Sequence, residues 1–316
     1  MAPVPERHTP PARSMLAEVI ARAGEVVLGK ERQVRLGLAC LLARGHLLIE
    51  DLPGVGKTTL AHVLARVLGL QFSRIQFTSD LLPADILGVS VYQPASGDFC
   101  FHPGPIFAQL ILADEINRAT PKTQSALLEA MEERQVTSDG TTQTLPEPFF
   151  VIATQNPRHL IGTFPLPESQ LDRFLMRIRM GYPDRQAERA LLKGRDRREL
   201  LQTMEPVIDG ALLLALQGAV TRIHCSDALL DYVQDLIVST RGSELFADGL
   251  SPRAGLALMH GAQAWALLEG RDMVLPEDVQ VVAPSVMGHR LCPAEGSTQG
   301  SSEVRIEELL AAVPIP

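Results

Sequence analysis

Five short apolar runs in the first part of the chain alternate with stretches whose apolar positions recur at helical spacing. Runs that are apolar on both sides and separated by helices are typical of strands in a parallel sheet covered on both faces. We predict these strands at His46–Glu50, Phe72–Phe77, Gln109–Asp114, Phe149–Thr154 and Phe174–Met180. The pattern therefore indicates an α/β domain built on a parallel five-stranded sheet between helices.

Beyond Pro183 the strand pattern fades and helical periodicity takes over. Serine and proline at the predicted helix starts, and glycine at their ends, are the residue types that favour those positions. The helices are predicted at Asp227–Arg241, from Pro252 to Gly270, from Pro276 onward and at Glu303–Ala312. A smaller all-helical domain is thus expected to follow the α/β domain.

These patterns divide the chain into four predicted segments. Residues 1–13 form a proline-rich, disordered leader, because they hold too little apolar surface to fold. Residues 14–182 form the α/β domain, and residues 183–293 form the helical domain. Residues 294–316 form a flexible link and a short terminal helix.

Composition and charge disfavour some classes of function. The chain has 316 residues and a formal net charge of −8, so it carries no general basic field for non-specific binding to nucleic acid. Its four cysteines are scattered without metal-ligand spacing, and we interpret them as reduced thiols. No apolar run reaches membrane-spanning length and the start is unlike a signal peptide, so we expect a cytoplasmic protein.

A glycine-rich loop follows the first predicted strand as Asp51-Leu52-Pro53-Gly54-Val55-Gly56-Lys57-Thr58. Glycines allow backbone N–H groups to turn toward a phosphate, and the helix that follows adds the positive end of its dipole. In such a loop Lys57 reaches the β- and γ-phosphate oxygens and Thr58 ligates Mg²⁺. Asp51 departs from the general pattern, which has glycine there. The strand before and the helix after nevertheless favour a P-loop nucleotide site over a simple helix entry.

The third predicted strand ends in two adjacent carboxylates, Asp114 and Glu115. Carboxylates at the end of a buried strand lose hydration, which costs free energy unless they are paired or bind a metal. In a P-loop enzyme Asp114 holds the magnesium shell and Glu115 positions and activates the attacking water. The alternative is a solvated strand end.

Three further polar residues have two interpretations each. Asn156, just past the fourth strand, can bond the γ-phosphate or the attacking water, or can be an ordinary turn residue. Arg173 precedes the fifth strand, where spacing alone favours a surface ion pair. Arg253 lies in the first turn of a helix, where a cation opposes the dipole and needs a partner, either a nucleotide phosphate or a nearby carboxylate.

The string Ile111–Thr137, ILADEINRATPKTQSALLEAMEERQVT, resembles the MoxR family of AAA+ ATPases. The segments EDLPGVGKTTLA, FFVIATQNP, FPLPESQLDRF and LSPRAGLAL extend the resemblance over roughly Gly24 to Arg290. In that family an aspartate is usual at the position of Asp51, in an EDxPGVGKT context. The departure from the general loop is therefore only weak evidence against a P-loop. The resemblance implies a P-loop α/β domain with a helical lid, and ATP hydrolysis with Mg²⁺.

The resemblance also implies roles for individual residues. Walker B is placed at Asp114 and Glu115, sensor 1 at Asn156, an arginine finger at Arg173 and sensor 2 at Arg253. An insert is expected at about Leu81–Pro105 and a hairpin at about Gln135–Pro148. The nucleotide-binding residues are expected at Pro53, Gly54, Val55, Gly56, Lys57, Thr58 and Thr59, with Leu28 and Gly29 flanking the adenine.

A ring is implied as well, typically a hexamer, because an arginine finger acts on the nucleotide of a neighbouring subunit. Family members are thought to act as chaperone-like remodellers of client proteins, often with a von Willebrand factor A domain partner. None of this partner information is visible in the residues themselves.

Two other classes of function stay open. One is a nucleotide-gated binding module with negligible turnover, against which the presence of both Glu115 and Arg173 argues. The other is a DNA-processing AAA+ motor, whose best support is a basic cluster. That cluster comprises Arg185, Arg189, Lys193, Arg195, Arg197 and Arg198. Acidic residues are interleaved with it, so we interpret it as a solvated helix face and inter-subunit contact.

Overall fold

The computed structural model describes residues 12–95, 97–138, 140–156, 162–194, 197–243, 245–292, 294 and 302–315. The predicted leader and most of the predicted link lie outside these ranges. The first helix begins at Ala12, so the last two residues assigned to the leader are helical. The domain boundary after Tyr182 stays a prediction.

The strands confirm the predicted pattern in position and direction. They are β1 (Leu47–Glu50), β2 (Phe72–Gln76), β3 (Gly88–Gln93), β4 (Asp98–Pro103), β5 (Leu110–Asp114), β6 (Gln135–Ser138), β7 (Thr141–Thr144), β8 (Phe150–Gln155) and β9 (Met176–Ile178). A parallel sheet runs in the order β2-β5-β8-β1-β9. The remaining strands form two antiparallel hairpins, β3-β4 and β6-β7, within the predicted insert and hairpin segments.

Helices pack around the sheet and connect to it through loops. They are α1 (Ala12–Val26), α2 (Glu31–Leu42), α3 (Lys57–Val67), α4 (Pro83–Leu87), α5 (Pro121–Glu133), α6 (Glu168–Leu171), α7 (Arg185–Lys193), α8 (Arg197–Gln202), α9 (Gly210–Val220), α10 (Asp227–Arg241), α11 (Pro252–Leu268), α12 (Pro276–Met287) and α13 (Ser302–Ala312). Helix α10 has the predicted bounds, and the Ser226 hydroxyl accepts a hydrogen bond from the Leu229 N–H at 3.2 Å.

The sheet is buried on both faces, which explains why its strands are continuously apolar. Alternate residues of each strand point to opposite sides: Leu47 and Ile49 belong to one apolar cluster, and Leu48 to another. The first cluster includes buried residues of α1 to α3 and of α9 to α13, and the second includes residues of α5. Helices α9 to α13 therefore share an apolar cluster with α1 to α3 on one side of the sheet.

Two arginines tie helix α12 to β9. Arg177 donates to the Gly288 carbonyl oxygen at 2.7 Å and to the Glu50 carboxylate at 3.0 Å. Arg290 is almost fully buried and donates to the Asp172 carboxylate at 2.6 Å and to the Phe174 carbonyl oxygen at 2.7 Å. These bonds fix the segment before β9 to the end of the helical domain. No helix among the described residues is long and apolar enough to cross a membrane.

His46 is buried at the start of β1 in a neutral form. Its Nδ1 accepts a hydrogen bond from the Val151 N–H at 3.0 Å, and its Nε2 lies 3.3 Å from the Met131 carbonyl oxygen. One accepting and one donating nitrogen is the hydrogen-bonding pattern of neutral imidazole. Burial lowers the pKa of His46 from 6.5 to about 4, because the charged ring would lose its hydration.

The stability of the protein is therefore expected to fall as the pH drops from 6.5 toward 4. In that window the unfolded chain binds a proton at His46 and the folded protein does not, which costs about 2 kcal/mol at pH 5 from this residue alone. His46→Gln is expected to reduce the difference between the urea midpoints at pH 7 and pH 5. The exposed His260→Gln serves as control, and an unchanged difference in His46→Gln would contradict the assignment.

Candidate active site

The glycine-rich loop follows the carboxyl end of β1 and has an open conformation. Gly54 and Gly56 have φ angles of +85° and +94°, a region that side chains disfavour, and a Cβ at either position would contact nothing within 4 Å. Helix α3 begins directly after Gly56, so its first N–H groups face the loop. The loop therefore leaves open space beside its two glycines, at the amino end of a helix, which suits a phosphate.

Asp51 stabilises this loop instead of weakening it. Its carboxylate accepts hydrogen bonds from the Leu52 N–H at 2.7 Å and from the Gly181 N–H at 2.6 Å. The second bond joins the start of the loop to the segment that follows β9. Nothing in the sequence indicated this second bond, because the partner lies 130 positions away.

Lys57 lies buried beneath the loop. Its ammonium group donates to the Asp51 carbonyl oxygen and to the Asn156 side-chain oxygen, the latter at 3.0 Å. Burial lowers the pKa of Lys57, while the negative charges of Asp51, Asp114 and Glu115 oppose that shift. The structure thus brings Lys57 and Asn156 together, as the sequence predicted for a shared site.

Asp114, at the end of β5, accepts hydrogen bonds on both oxygens. Thr154 donates to Oδ1 at 2.6 Å, and Arg74 donates to Oδ2 from Nε at 3.1 Å and from Nη2 at 2.6 Å. The Thr58 hydroxyl lies 3.5 Å from the same Oδ2. The predicted pair Thr58 and Asp114 is therefore adjacent, but Arg74 and Thr154 were missed because neighbouring strands supply them.

Glu115 directly follows β5 in a left-handed backbone conformation, with φ of 56°. Non-glycine residues in this region are strained and are concentrated at functional sites. Its carboxylate accepts from Asn156 at 3.1 Å, from Arg118 at 2.8 Å and from Gln76 at 3.3 Å. These donors hold the carboxylate beside the side chain that also contacts Lys57.

A cleft opens between the loop and the segment before α2. It is lined by Val26, Val27, Leu28, Lys30, Gly54, Val55, Gly56, Thr59, Pro183, Leu191 and Arg197. Leu28 lines the cleft as predicted, whereas the neighbouring Gly29 packs against Ala187 of α7, with no room for a Cβ. The mainly apolar walls beside the phosphate loop suit a flat, apolar group such as a nucleobase.

The basic cluster of α7 and α8 is only partly the solvated face that the sequence predicted. Arg185, Arg189 and Lys193 are exposed, and Arg195 lies outside the described residues. Arg197 instead lines the cleft and donates to the Glu25 carbonyl oxygen at 3.0 Å. Helix α8 folds back onto α1, which the local charge pattern could not indicate.

Arg173 and Arg253 lie away from the phosphate loop, near the edge of the sheet where the parallel strands begin. Both line a cavity that also includes residues 43–46, which lead into β1. We call this the amino-edge cavity; its residues are Ala43, Arg44, Gly45, His46, Met131, Glu132, Arg134, Asp172, Arg173, Leu175, Arg253, Leu256, Ala257, His260 and Arg290. The phosphate loop follows the opposite end of β1, so the structure separates these arginines from the cluster around Lys57.

Within its own subunit Arg253 lies apart from the phosphate loop, and its predicted contact with a nucleotide stays a prediction. Its side chain pairs with Glu132 at 3.3 Å and approaches Asp172 at 3.9 Å, so carboxylates are the partners that a cation at a helix start requires. Arg173 pairs with the same Glu132 at 3.0 Å and donates to the Leu128 carbonyl oxygen at 2.6 Å. The packing of α11 beneath the sheet brings the two arginines together.

Comparison with known protein families matches two parts of the chain. Residues 46–176 match the ATPase family associated with various cellular activities (AAA), and residues 238–309 match the AAA lid domain. The first match spans the loop, both carboxylates and Asn156, and the second includes α11 and α12.

Individual proteins are similar over nearly the whole chain. An uncharacterised protein of Bacillus subtilis, YeaC, is 46% identical over 96% of this chain and 95% of its own. The chaperone MoxR1 of Mycobacterium tuberculosis is 40% identical over 99% of this chain and 87% of its own. The crystal structure of a Cytophaga hutchinsonii protein assigned as an ATPase superposes with a TM-score of 0.87, at 36% identity and 96% coverage of both chains.

Proposed function

The chain belongs to the MoxR family of AAA+ ATPases, and on that premise we propose that it binds and hydrolyses Mg·ATP at the carboxyl edge of its sheet. The observation that carries this proposal is the convergence of Lys57, Asp114, Glu115 and Asn156 from three different strand ends. Two carboxylates, a buried ammonium group and an amide beside a loop of backbone donors fit phosphoryl transfer.

The residues present fit both the nucleotide and the metal. The open loop at Gly54 and Gly56 leaves space for phosphate groups, and the adjoining apolar cleft leaves space for a base. Thr58 and Asp114 present neighbouring oxygens, the ligand type that Mg²⁺ prefers. When bound, Mg²⁺ offsets the negative charge of the phosphates. Arg74 pairs with Asp114 and would share that carboxylate with a bound metal.

The chemical step we propose is attack of water on the γ-phosphorus, which forms a new P–O bond while the bond to the bridging β–γ oxygen breaks and ADP leaves with that oxygen. Glu115 orients the water and accepts its proton, Asn156 fixes the position of that carboxylate, and Lys57 stabilises the charge on the phosphate oxygens. Three side chains donate hydrogen bonds to the Glu115 carboxylate and hold it at the carboxyl edge of the sheet. Positioning and electrostatic stabilisation account for most of the rate in this class of reaction.

A second subunit is needed to complete the site in this proposal. Arg173 lies at the other end of the strands, so it reaches a γ-phosphate only on a neighbouring copy. A closed ring in which each amino-edge cavity faces the next subunit's phosphate loop provides this contact at every interface. Rings of this family typically have six subunits.

We extend the proposal to the remodelling of a client protein, in line with a 40% identical relative that is named a chaperone. If ATP turnover changes the contacts between subunits, that change would drive the remodelling of the client protein. A von Willebrand factor A domain protein is the partner we would test first.

The test is ATP turnover per subunit across a wide range of protein concentration, with Glu115→Gln as the blank. The rate per subunit is expected to rise with concentration, because the site is completed between subunits. A flat, measurable rate calls for sizing at the lowest concentration: an assembled ring there agrees with the proposal, and an active monomer contradicts shared sites. No turnover above the blank would favour a nucleotide-gated binding module.

A further inference from the structure

Glu132, the second-last residue of α5, bridges two arginines that come from distant parts of the chain. Its Oε2 lies 3.0 Å from Nη2 of Arg173, and its Oε1 lies 3.3 Å from Nη1 of Arg253. Arg173 belongs to the segment before β9 and Arg253 to the first turn of α11. One carboxylate thus joins the α/β part of the molecule to the helical part at the amino-edge cavity.

The surroundings of this bridge are rigid. Arg290, whose side chain is 6% exposed, bonds the Asp172 carboxylate and the carbonyl oxygens of Asp172 and Phe174. The backbone on both sides of Arg173 is therefore fixed to the end of α12. The Leu128 carbonyl oxygen holds Nη1 of Arg173 at 2.6 Å, which leaves the rest of its guanidinium to be oriented by Glu132.

The electrostatics explain why a carboxylate stands between the two arginines. Two guanidinium groups brought to one place repel each other, and a shared carboxylate offsets that repulsion. Each guanidinium has five N–H donors, so a bond to Glu132 leaves others for an anion. The side chains of Arg173 and Arg253 are 30% and 56% exposed, and both line the amino-edge cavity.

We propose that Glu132 is a positioning residue that holds Arg173 and Arg253 as one pair, presented to the phosphates of a nucleotide on the next copy of this chain. The inference rests on the proposed function, because it presupposes that the amino-edge cavity faces a neighbour's nucleotide. Glu132 acts through the arginines and does not itself touch the nucleotide.

The variant Glu132→Gln keeps the size of the side chain and removes its charge. It is expected to lower kcat of the assembled protein by about 10²-fold, the typical cost of a small misplacement of catalytic groups. The affinity of the subunit for ATP and its thermal midpoint are expected to stay at wild-type values. The matched control is Glu133→Gln, the next residue of α5, which removes the same charge from the exposed surface and is expected to keep full turnover.

A mixing experiment separates positioning in trans from a structural role. Glu132→Gln and Glu115→Gln chains, carrying two different affinity tags, are produced together and purified through both tags. An interface that combines the phosphate loop of a Glu132→Gln chain with the amino-edge cavity of a Glu115→Gln chain has every native group. Turnover is therefore expected to return in the mixed assembly although each variant alone is nearly inactive.

The outcomes separate this inference from the proposed function. If wild type turns over ATP and Glu132→Gln does so equally fast, the positioning role is wrong and the ATPase proposal stands. Faster turnover in Glu132→Gln would mean that the carboxylate restrains the arginines, which also overturns the inference. Failure of the mixed assembly to recover turnover would place the role of Glu132 within its own subunit. A wild type without turnover would remove the proposed function itself.

Discussion

Arg173→Ala is expected to lower ATP turnover of the assembled protein about 10³–10⁵-fold while leaving ATP binding intact, the range that arginine fingers contribute. The reason is the position of Arg173 just before β9, at the end of the strands opposite the phosphate loop. Its removal leaves the subunit's own cleft, Lys57 and Asn156 untouched. The measurement is steady-state ATP hydrolysis together with the dissociation constant of a fluorescent ATP analogue.

The control is Arg222→Ala, which removes an exposed arginine just after α9 and is expected to change neither quantity. Equal turnover in Arg173→Ala and wild type would remove the finger assignment. A loss of ATP affinity as large as the loss of turnover would show instead that Arg173 supports nucleotide binding within its own subunit.

Glu115→Gln is expected to bind ATP and retain it, with hydrolysis reduced about 10²–10⁴-fold, the usual contribution of a general base. Glutamine has the same shape, and its one carbonyl oxygen can accept from either Asn156 or Arg118, which contact different oxygens of Glu115. Its amide does not accept a proton from water. Single-turnover hydrolysis of radiolabelled ATP measures the chemical step, and filter retention measures the bound nucleotide.

Glu129→Gln on α5 is the matched control, because it makes the same substitution at an exposed position away from the strand ends. Rapid hydrolysis by Glu115→Gln would contradict the role of this carboxylate. Asp114 would then become the candidate base, although its two oxygens already accept hydrogen bonds from Thr154 and Arg74.

The periodicity of apolar residues predicted most of the fold. The five central strands, the helix α10 and the two hairpin segments lie within a few residues of their predicted places. The strand at β9 is shorter than predicted, since its apolar run continues past Ile178 while its pairing with β1 stops there. Local patterns are informative for buried strands because both faces of such strands have to be apolar.

The amino-acid sequence indicated which polar residues lie at the carboxyl edge of the sheet. Lys57, Asp114, Glu115 and Asn156 follow the ends of parallel strands, and those ends meet at one edge. The partners of these residues depend on the folding of distant segments and could not be read from spacing. Arg74, Gln76 and Thr154 come from neighbouring strands, and Asp51 bonds a backbone group far along the chain.

Arg253 illustrates this dependence on long-range packing. Its place in the first turn of α11 was readable from the sequence, but its partner was not, because the docking of α11 beneath the sheet depends on long-range apolar packing. That packing carries Arg253 to Glu132, Asp172 and Arg173 at the amino-edge cavity. Local sequence thus specified which polar side chains lie at the ends of strands and helices. The packing of helices on the sheet specified which of these side chains contact each other.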